Sequence, residues 1–264
     1  MKQHLIGQTG ISVSALGLGT VKLGRNQQVK YPSAFDLPSD SAFLELLDTA
    51  EAVGINLLDT APAYGTSEER LGQLLGSRRD EWVLCSKAGE EFSDGQSHFD
   101  FSESAITASV ERSLRRLRTD RIDLLLLHSD GEDLRVLNES GAVAALTRLK
   151  EAGQVQAIGI STKTVAGGLR AIELGLDAVM VMYHPGYRDE EAVLDAAVGT
   201  DTAVFLKKVL GSGWFGAEPV PSDPVGEAFR FVFSHPATTA AIVGTLSPAH
   251  LLSNAAATRL ACKD

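Results

Sequence analysis

The fold is decided by the stretch Ile122-Asp123-Leu124-Leu125-Leu126-Leu127-His128, an apolar run that ends on a polar side chain. Its four consecutive leucines present no polar face, which is typical of a parallel strand covered on both sides. Short apolar runs of similar composition recur along the whole chain. The eight predicted strands lie near 14–20, 56–61, 82–87, 122–128, 155–161, 178–183, 203–208 and 239–244.

Stretches with helical periodicity separate these strands. The clearest start signals are Asp223 before Pro224 and Ser247 before Pro248, since each N-cap residue precedes a proline at the first helical position. The predicted helices cover 41–53, 67–75, 104–117, 141–152, 165–174, 190–198, 224–233 and 248–257.

This alternation predicts an α/β fold, a (β/α)8 TIM barrel, as one domain over residues 1–264. A doubly wound open sheet is the main competitor, but eight parallel strands would leave it with apolar edges. The segment 1–13 is predicted to form an N-terminal hairpin that turns at residues 8–10 and closes the bottom of the barrel.

The composition argues against several classes of protein. Of the 264 residues, 44% are hydrophobic, and 34 acidic against 24 basic residues give a net charge of -10. An acidic chain is a poor ligand for nucleic acid or anionic membranes. No apolar run approaches a membrane span or a signal peptide, and two distant cysteines make no disulfide framework. We therefore expect a cytoplasmic protein that acts on a small molecule.

Polar side chains follow three of the predicted strands. Asp59 and Tyr64 come after the second strand, Lys87 after the third and His128 after the fourth. Active sites of such barrels lie at the carboxyl ends of the strands, so these four residues are expected to converge. Each alone could be a helix cap, a loop residue, a packing aromatic or a rim histidine, but together they predict a proton-transfer site.

The stretch around Asp59 and Tyr64, Leu-Leu-Asp-Thr-Ala-Pro-Ala-Tyr-Gly at 57–65, resembles the signature of the aldo-keto reductases. The resemblance continues through Ser86-Lys87, 123–128, 158–161 and 242–248, and it is closest to short bacterial-type members without a long carboxyl-terminal tail. It implies a (β/α)8 barrel, an NADP(H) cofactor and reversible reduction of an aldehyde or ketone. It also implies a catalytic tetrad of Asp59, Tyr64, Lys87 and His128.

The chemistry of this tetrad follows from its residue types. Tyr64 is expected to be the general acid in reduction and the base in oxidation. A free tyrosine has a pKa of about 10, and a lysine ammonium about 4 Å away favours the tyrosinate by up to ~4 kcal/mol. Lys87 is therefore expected to lower the pKa of Tyr64, with Asp59 offsetting part of the effect. His128 would donate a hydrogen bond to the carbonyl oxygen.

The cofactor site has no Rossmann fingerprint, since Lys22 stands where a third glycine would follow Gly17 and Gly19. The loops after the seventh and eighth strands are better candidates, because barrels commonly bind phosphate there. Residues expected to bind the cofactor are Gly19, Thr20, Asp59, Ser161, Thr162, Lys207, Leu210, Gly211, Gly213, Gly244, Thr245, Ser247, His250 and Asn254.

Several positions depart from the family pattern. His250 stands where an arginine often holds the 2′-phosphate, and Ser253 where a glutamate often contacts adenine, so NAD(H) is the alternative cofactor. Thr162 and Met180 replace the Asn and Gln that usually hold the nicotinamide amide. Lys207 stands near a usual stacking tyrosine, and it is either a solvated rim lysine or a contact for pyrophosphate or an anionic substrate.

Three rival functions remain at this point. One is an NAD-dependent sugar (aldose) dehydrogenase on the same barrel, and another is a cofactor-binding regulatory protein with little turnover. A metal-dependent hydrolase is disfavoured, because no His-x-His pair ends a strand. Loops after the first, third and seventh strands carry aromatic residues, including Tyr31, Phe92 and Trp214, one of which is expected to cover the pocket.

Overall fold

The computed structural model describes residues 1–29, 31, 34–211 and 222–262. In it, eight parallel strands close into a barrel, which confirms the predicted (β/α)8 fold. The strands are β1 (Gln3–Leu5), β2 (Ser12–Ser14), β3 (Leu16–Gly19), β4 (Leu57–Asp59), β5 (Val83–Ala88), β6 (Glu90–Ser93), β7 (Gln96–Phe99), β8 (Ile122–His128), β9 (Val155–Ser161), β10 (Ala178–Met182), β11 (Ala203–Lys207) and β12 (Thr238–Val243). The barrel order is β3-β4-β5-β8-β9-β10-β11-β12, with β12 returning to β3.

Helices follow the barrel strands along the chain. They are α1 (Val21–Gly24), α2 (Asp40–Ala52), α3 (Ser67–Leu74), α4 (Glu103–Leu117), α5 (Asp133–Asn138), α6 (Ala142–Glu151), α7 (Val165–Glu173), α8 (Glu191–Ala197), α9 (Pro224–Ser234) and α10 (Pro248–Ala261). The predicted caps are present, since the side chains of Asp223 and Ser247 accept hydrogen bonds from the first turns of α9 and α10. No helix in the described part of the chain has the length and hydropathy that a membrane span requires.

The four leucines of β8 divide between two cores. Leu124 and Leu126 pack inside the barrel, together with Phe205 and Ile242, whereas Leu125 and Leu127 pack against the surrounding helices. All four are fully buried. Because burial of one leucine side chain stabilises a fold by about 1.5–3 kcal/mol, an uninterrupted apolar run is what this strand position requires.

The predicted N-terminal hairpin is also confirmed. Strands β1 and β2 pair antiparallel, from Gln3 opposite Ser14 to Leu5 opposite Ser12. Ile6 and Val13 are fully buried and belong to the core inside the barrel. The hairpin therefore fills the amino-terminal end of the barrel and leaves the opposite end for chemistry.

A second hairpin was not predicted from the sequence. Strands β6 and β7 pair antiparallel directly after β5, with Glu90 opposite Phe99. Asp94 and Gly95 form the turn with φ of 52° and 75°, the positive values that a type I′ turn needs. The sequence signal that could have indicated this hairpin is the dipeptide Asp94-Gly95, which is typical of a tight turn between two strands. This hairpin matters for the site, because it holds Glu90 beside the end of β8.

Candidate active site

The centre of the site is a buried ion pair. Lys87 Nζ lies 2.6 Å from Asp59 Oδ1, and its side chain and that of Asp59 are only 1% and 5% exposed. Nζ also donates to the carbonyl oxygen of Thr60 at 3.0 Å. Burial alone would lower the pKa of Lys87, but its interactions with Asp59, Tyr64 and Cys85 together outweigh burial and raise the pKa above the ordinary value. Lys87 is therefore a permanent cation inside the barrel mouth.

A network of hydroxyl groups holds Asp59 in place. The backbone amide and the Oγ1 of Thr20 both donate to the carbonyl oxygen of Asp59 at 2.9 Å. Ser67 Oγ donates to Thr20 Oγ1 at 2.7 Å, and Thr60 Oγ1 donates to Ser67 Oγ at 3.0 Å. Gly19 pairs with Asp59 across β3 and β4. Thr20 and Gly19, expected beside the cofactor, thus adjoin the tetrad and also support it.

Tyr64 ends a short 3-10 turn, Pro62–Tyr64, that leads from β4 towards α3. Lys87 Nζ lies 4.6 Å from the centre of its ring. The net effect on the phenol is opposite to the expectation from sequence: burial raises the pKa of Tyr64, and the opposing influence of Lys87 does not overcome it. Burial is the largest influence on this pKa, and the charge of Asp59 adds to it by offsetting part of the influence of Lys87. Tyr64 therefore keeps its proton at neutral pH.

His128 ends β8 and completes the predicted group of four. Its ring stands edge-on to that of Tyr64, with 6.1 Å between centroids and 86° between planes. Burial lowers the pKa of His128, and the charges of Lys87 and Lys207 act in the same direction while Glu90 opposes them. The structure thus brings all four predicted tetrad residues to one mouth of the barrel.

Glu90 is a site residue that the sequence analysis passed over. Its Oε2 lies 2.8 Å from His128 Nδ1, with the two side chains 12% and 19% exposed. Burial would raise the pKa of Glu90, but His128, a hydrogen bond from Ser97 and the charge of Lys163 together lower it to about 2. Glu90 is therefore ionised at neutral pH.

A second polar cluster adjoins the tetrad, because His128 pairs with Ser161 across β8 and β9. Lys207 Nζ donates to Ser161 Oγ at 2.9 Å and to the Thr162 carbonyl at 2.6 Å. Thr162 N in turn donates to the Met180 carbonyl at 3.1 Å. Three of the positions that depart from the family pattern are thus neighbours. The interpretation of Lys207 as a solvated rim lysine is wrong, whereas Lys208 is exposed.

The Lys207 cluster has unused hydrogen-bonding capacity. An ammonium has three donors, and Lys207 has two partners among the described residues. Thr162 Oγ1 is buried without a partner. Burial lowers the pKa of Lys207 to about 8, with Glu190 opposing the shift. A planar amide that both donates and accepts hydrogen bonds would use these free groups, so the residues present fit the nicotinamide end of a dinucleotide.

The expected adenosine end lies where β12 leads into α10. Ser247 Oγ accepts from His250 N at 3.3 Å as the N-cap, and Thr245 Oγ1 accepts from Ser247 N at 3.1 Å. Gly244 lies close to Gly19, so that a Cβ on Gly244 would be 3.4 Å from the Gly19 carbonyl oxygen. His250 is exposed in the first turn of α10, and the buried Asn254 follows one turn later. The amides at this helix start suit a phosphate.

The loop after β11 is described only in part. Leu210 is half-buried, and Gly211 has a φ of 56° and donates its amide to the Lys208 carbonyl at 2.8 Å. Gly213 and Trp214 lie outside the described residues.

Tyr31, from the loop after β3, reaches the same region. A Cβ on Gly244 would lie 3.7 Å from its hydroxyl oxygen, and Lys22 Nζ lies 4.0 Å from its ring centre. Burial and the charge of Asp59 raise the pKa of Tyr31 to about 12. Among the aromatic residues expected to cover the pocket, Tyr31 is therefore one that approaches the strand ends. Within the described ranges, no three His, Cys, Asp or Glu side chains form a metal-binding group.

Comparison with known proteins shows the family to which the chain belongs. A sequence profile of the Aldo/keto reductase family matches residues 15–227. D-threo-aldose 1-dehydrogenase from Pseudomonas sp. is 33% identical over 231 residues, which are 77% of this chain and 68% of that protein. The chain spans about half the length of further curated relatives it matches.

Solved structures show the same architecture. A protein from Pseudomonas aeruginosa that is classed as an aldo-keto reductase is 47% identical, with a TM-score of 0.89 over 98% of this chain and 94% of that chain. An aldo-keto reductase from Bacillus halodurans in its holo form has a TM-score of 0.80 at 23% identity, over 97% and 90% of the two chains. At that identity the second match supports the barrel alone.

Proposed function

Because the chain belongs to the aldo/keto reductase family of nicotinamide-dependent oxidoreductases, we propose that it reversibly reduces an aldehyde or ketone to an alcohol with NADP(H). The observation that carries this proposal is the convergence of Lys87, Asp59, Tyr64 and His128 at one barrel mouth. Lys87 is paired with Asp59 at 2.6 Å and stands 4.6 Å from the ring centre of Tyr64. A bound nicotinamide would supply or accept the hydride.

Tyr64 is the proton donor in reduction. Its phenol is protonated at neutral pH because burial raises its pKa. Lys87 then stabilises the tyrosinate that forms as the proton leaves, since a preorganised charge at low dielectric costs no reorganisation. Asp59 keeps Lys87 charged and in place. In oxidation the tyrosinate form of Tyr64 would act as the base and accept the proton of the alcohol. Because the raised pKa leaves little tyrosinate at neutral pH, oxidation should be favoured by higher pH.

The proposed cofactor residues form two groups. Ser161, Thr162 and Lys207 would hold the nicotinamide amide, supported by the unpartnered Thr162 Oγ1. A second group, on the adenosine side and in the neighbouring loops, comprises Gly19, Thr20, Leu210, Gly211, Gly213, Gly244, Thr245, Ser247, His250 and Asn254. NAD(H) is the alternative cofactor, because an imidazole at residue 250 is a weaker partner for a 2′-phosphate than a guanidinium.

Two measurements test the proposal. Fluorescence titration of the purified protein with NADPH and NADH should show binding of at least one, and binding of neither would refute the oxidoreductase function. Tyr64→Phe should lose at least a hundredfold in turnover of 4-nitrobenzaldehyde with the preferred cofactor. Retention of wild-type turnover would exclude Tyr64 as the proton donor, and no turnover of any carbonyl by the native protein would favour a regulatory role.

An NAD-dependent aldose dehydrogenase is the second candidate. It is favoured by the similarity to the Pseudomonas aldose 1-dehydrogenase and by His250 at the 2′-phosphate position. Oxidation of a panel of aldoses with NAD+ and NADP+ separates the two functions. We also propose a cytoplasmic location and a small-molecule substrate, with neither nucleic acid nor membrane as a partner, in keeping with the net charge of -10.

A further inference from the structure

Arg25 lies beside Tyr64 at the mouth of the barrel. Its Nη1 donates to the carbonyl oxygen of Ala63 at 2.9 Å, and Ala63 directly precedes Tyr64. On the other side, a Cβ placed on Gly65, the residue after Tyr64, would lie 3.4 Å from Arg25 Cβ. Tyr64 is also close enough to act on the pKa of Arg25, which its negative form raises. The arginine side chain therefore follows the turn that carries the phenol.

Neutral groups hold the guanidinium of Arg25 in place. Its Nε donates to the Gln27 carbonyl at 2.8 Å, and its Nη2 donates to the Gln28 carbonyl at 3.4 Å. Its Cζ lies over the ring of Phe92 in the β6–β7 hairpin, 3.4 Å from the ring centre. Carbonyl acceptors and an aromatic face fix a guanidinium in position but leave its charge uncancelled.

Arg25 also lacks an ion pair. Among the residues that the structure describes, its acceptors are three carbonyls, and no carboxylate oxygen lies within 4.0 Å of the guanidinium. Other arginines, such as Arg79 and Arg112, pair with carboxylates at 2.9 Å and 2.6 Å. Glu90 acts on Arg25 only from a greater distance, and its Oε1 accepts a hydrogen bond from Ser97 at 2.6 Å. Because 34 acidic residues outnumber 24 basic ones, a mouth arginine without a carboxylate points to an anion from outside the chain.

The guanidinium of Arg25 has donors to spare. It carries five N–H groups in one plane, and the three carbonyls occupy three of them. One N–H on Nη1 and one on Nη2 thus have no acceptor in the described part of the chain. Arg25 is only half-buried, so an incoming molecule can reach its side chain. Planar donors match the two oxygens of a carboxylate, and one positive charge balances a carboxylate better than a phosphate dianion.

We propose that Arg25 is a specificity-determining residue that binds a carboxylate group of the substrate, so that the preferred substrates are aldehydes or ketones that carry a carboxylate. This inference rests on the proposed function, since it names the substrate class of the same site. Glu90 opposes such a ligand, and Lys163, which acts on Glu90, offsets part of the opposition. Direct contact with Arg25 outweighs a more distant carboxylate, because Coulomb energy falls with distance and is screened by salt.

Carboxy- and nitrobenzaldehydes are matched probes, because a nitro group has the planar shape of a carboxylate without its net charge. The 2-, 3- and 4-carboxybenzaldehydes are each compared with the corresponding nitrobenzaldehyde, and kcat/KM is measured with the preferred cofactor. For at least one ring position, the carboxy-to-nitro ratio should fall roughly tenfold or more in Arg25→Met, since hydrogen bonds to charged groups are lost. Arg25→Lys should keep an intermediate ratio, because it retains the charge but not the planar donors. An unchanged ratio in Arg25→Met at all three positions would overturn the inference.

The ratio separates recognition of an anion from support of the turn. If Arg25 only braced the turn through Ala63, its loss would lower kcat/KM for both substrates by the same factor. Arg259→Met is the matched control, since Arg259 also donates to a backbone carbonyl, that of Val53 at 2.8 Å, but joins α10 to the end of α2. The ratio should not change in this variant.

Salt provides a test that needs no variant. In the native protein, raising NaCl from about 50 mM to about 500 mM should raise the KM of the carboxylate substrate by roughly threefold or more, because salt screens the charge of Arg25. The KM of the nitro substrate should stay nearly constant. Equal responses of the two substrates would count against a carboxylate site.

Binding without turnover separates this inference from the proposed function. The corresponding hydroxymethylbenzoates are titrated by calorimetry into the protein with the reduced cofactor, a combination in which no hydride transfer occurs. The Kd of at least one of them should rise roughly tenfold or more in Arg25→Met and stay unchanged in Arg259→Met. Unmeasurable binding by the native protein, or the same Kd in Arg25→Met, would overturn the inference. Binding that depends on Arg25, without turnover of any aldehyde, would refute the proposed function and leave the carboxylate site in place.

Discussion

Asp59→Asn should destabilise the protein by about 3–5 kcal/mol, because it removes the charged partner of a buried cation and leaves the charge in place. The Lys87 and Asp59 side chains are 1% and 5% exposed, so water cannot replace the lost carboxylate. The ammonium would keep the neutral carbonyl of Thr60 at 3.0 Å. A loss of this size is a large share of the 5–15 kcal/mol by which domains are typically stable. Urea denaturation followed by circular dichroism at pH 7 measures it.

A surface pair of equal length provides the control. Arg78 Nη1 lies 2.6 Å from Asp48 Oδ1, but the side chains are 28% and 63% exposed, so Asp48→Asn should cost less than about 1 kcal/mol. The double variant Asp59→Asn/Lys87→Met should be more stable than Asp59→Asn alone, since it no longer buries an unpaired charge. Equal losses for Asp59→Asn and Asp48→Asn, or a double variant at the sum of its single losses, would refute the reasoning.

Other positions give predictions of the same kind. The pKa of Lys207 is lowered to about 8, so the folded state releases its proton before the unfolded state does, and wild-type stability should rise by roughly 1 kcal/mol relative to Lys207→Met between pH 7 and 9 in urea titrations. The pKa of Glu90 is lowered to about 2, so its stabilisation is present above pH 4.5 and lost on acidification; the stability gap between wild type and Glu90→Gln should narrow from pH 5 to pH 3. Gly89→Ala should lower the Tm by more than Gly95→Ala, because both residues have positive φ but only a Cβ at 89 meets the Phe101 ring.

The barrel could be predicted because its strands are covered on both sides. A strand such as β8 must then be apolar along its centre, here from Leu124 to Leu127, and such a run can be recognised in the sequence without knowing which residues it contacts. The strand boundaries at 122–128 and 155–161 agree with the structure for the same reason. The short elements α1 and α5 were missed, because four to six residues carry too little periodicity.

The tetrad could be located from sequence, but its electrostatics could not. The sequence alone shows that a residue follows a predicted strand. The pKa of Tyr64, in contrast, depends on burial and on how closely Asp59 approaches Lys87, which only the folded structure shows. Glu90 was missed for a related reason: a glutamate in a loop carries no signal of its own, and only the β6–β7 hairpin turns it towards His128. The Asp-Gly turn at 94–95 would have indicated the hairpin, though not the direction of the side chain.

The N-terminal hairpin has a kinetic consequence. Since Ile6 and Val13 fill one end of the barrel and apolar side chains fill its interior, the tetrad can exchange with solvent only at the opposite end, the mouth of the barrel. A proton that Asp59, Lys87 or Tyr64 exchanges with solvent must therefore pass through the mouth of the barrel, where the substrate is proposed to bind. A bulky ligand at the mouth should therefore slow the exchange of these protons with solvent for as long as it stays bound. Solvent isotope exchange at the site should then be slowest when the mouth is occupied, and its rate would report the residence time of the ligand.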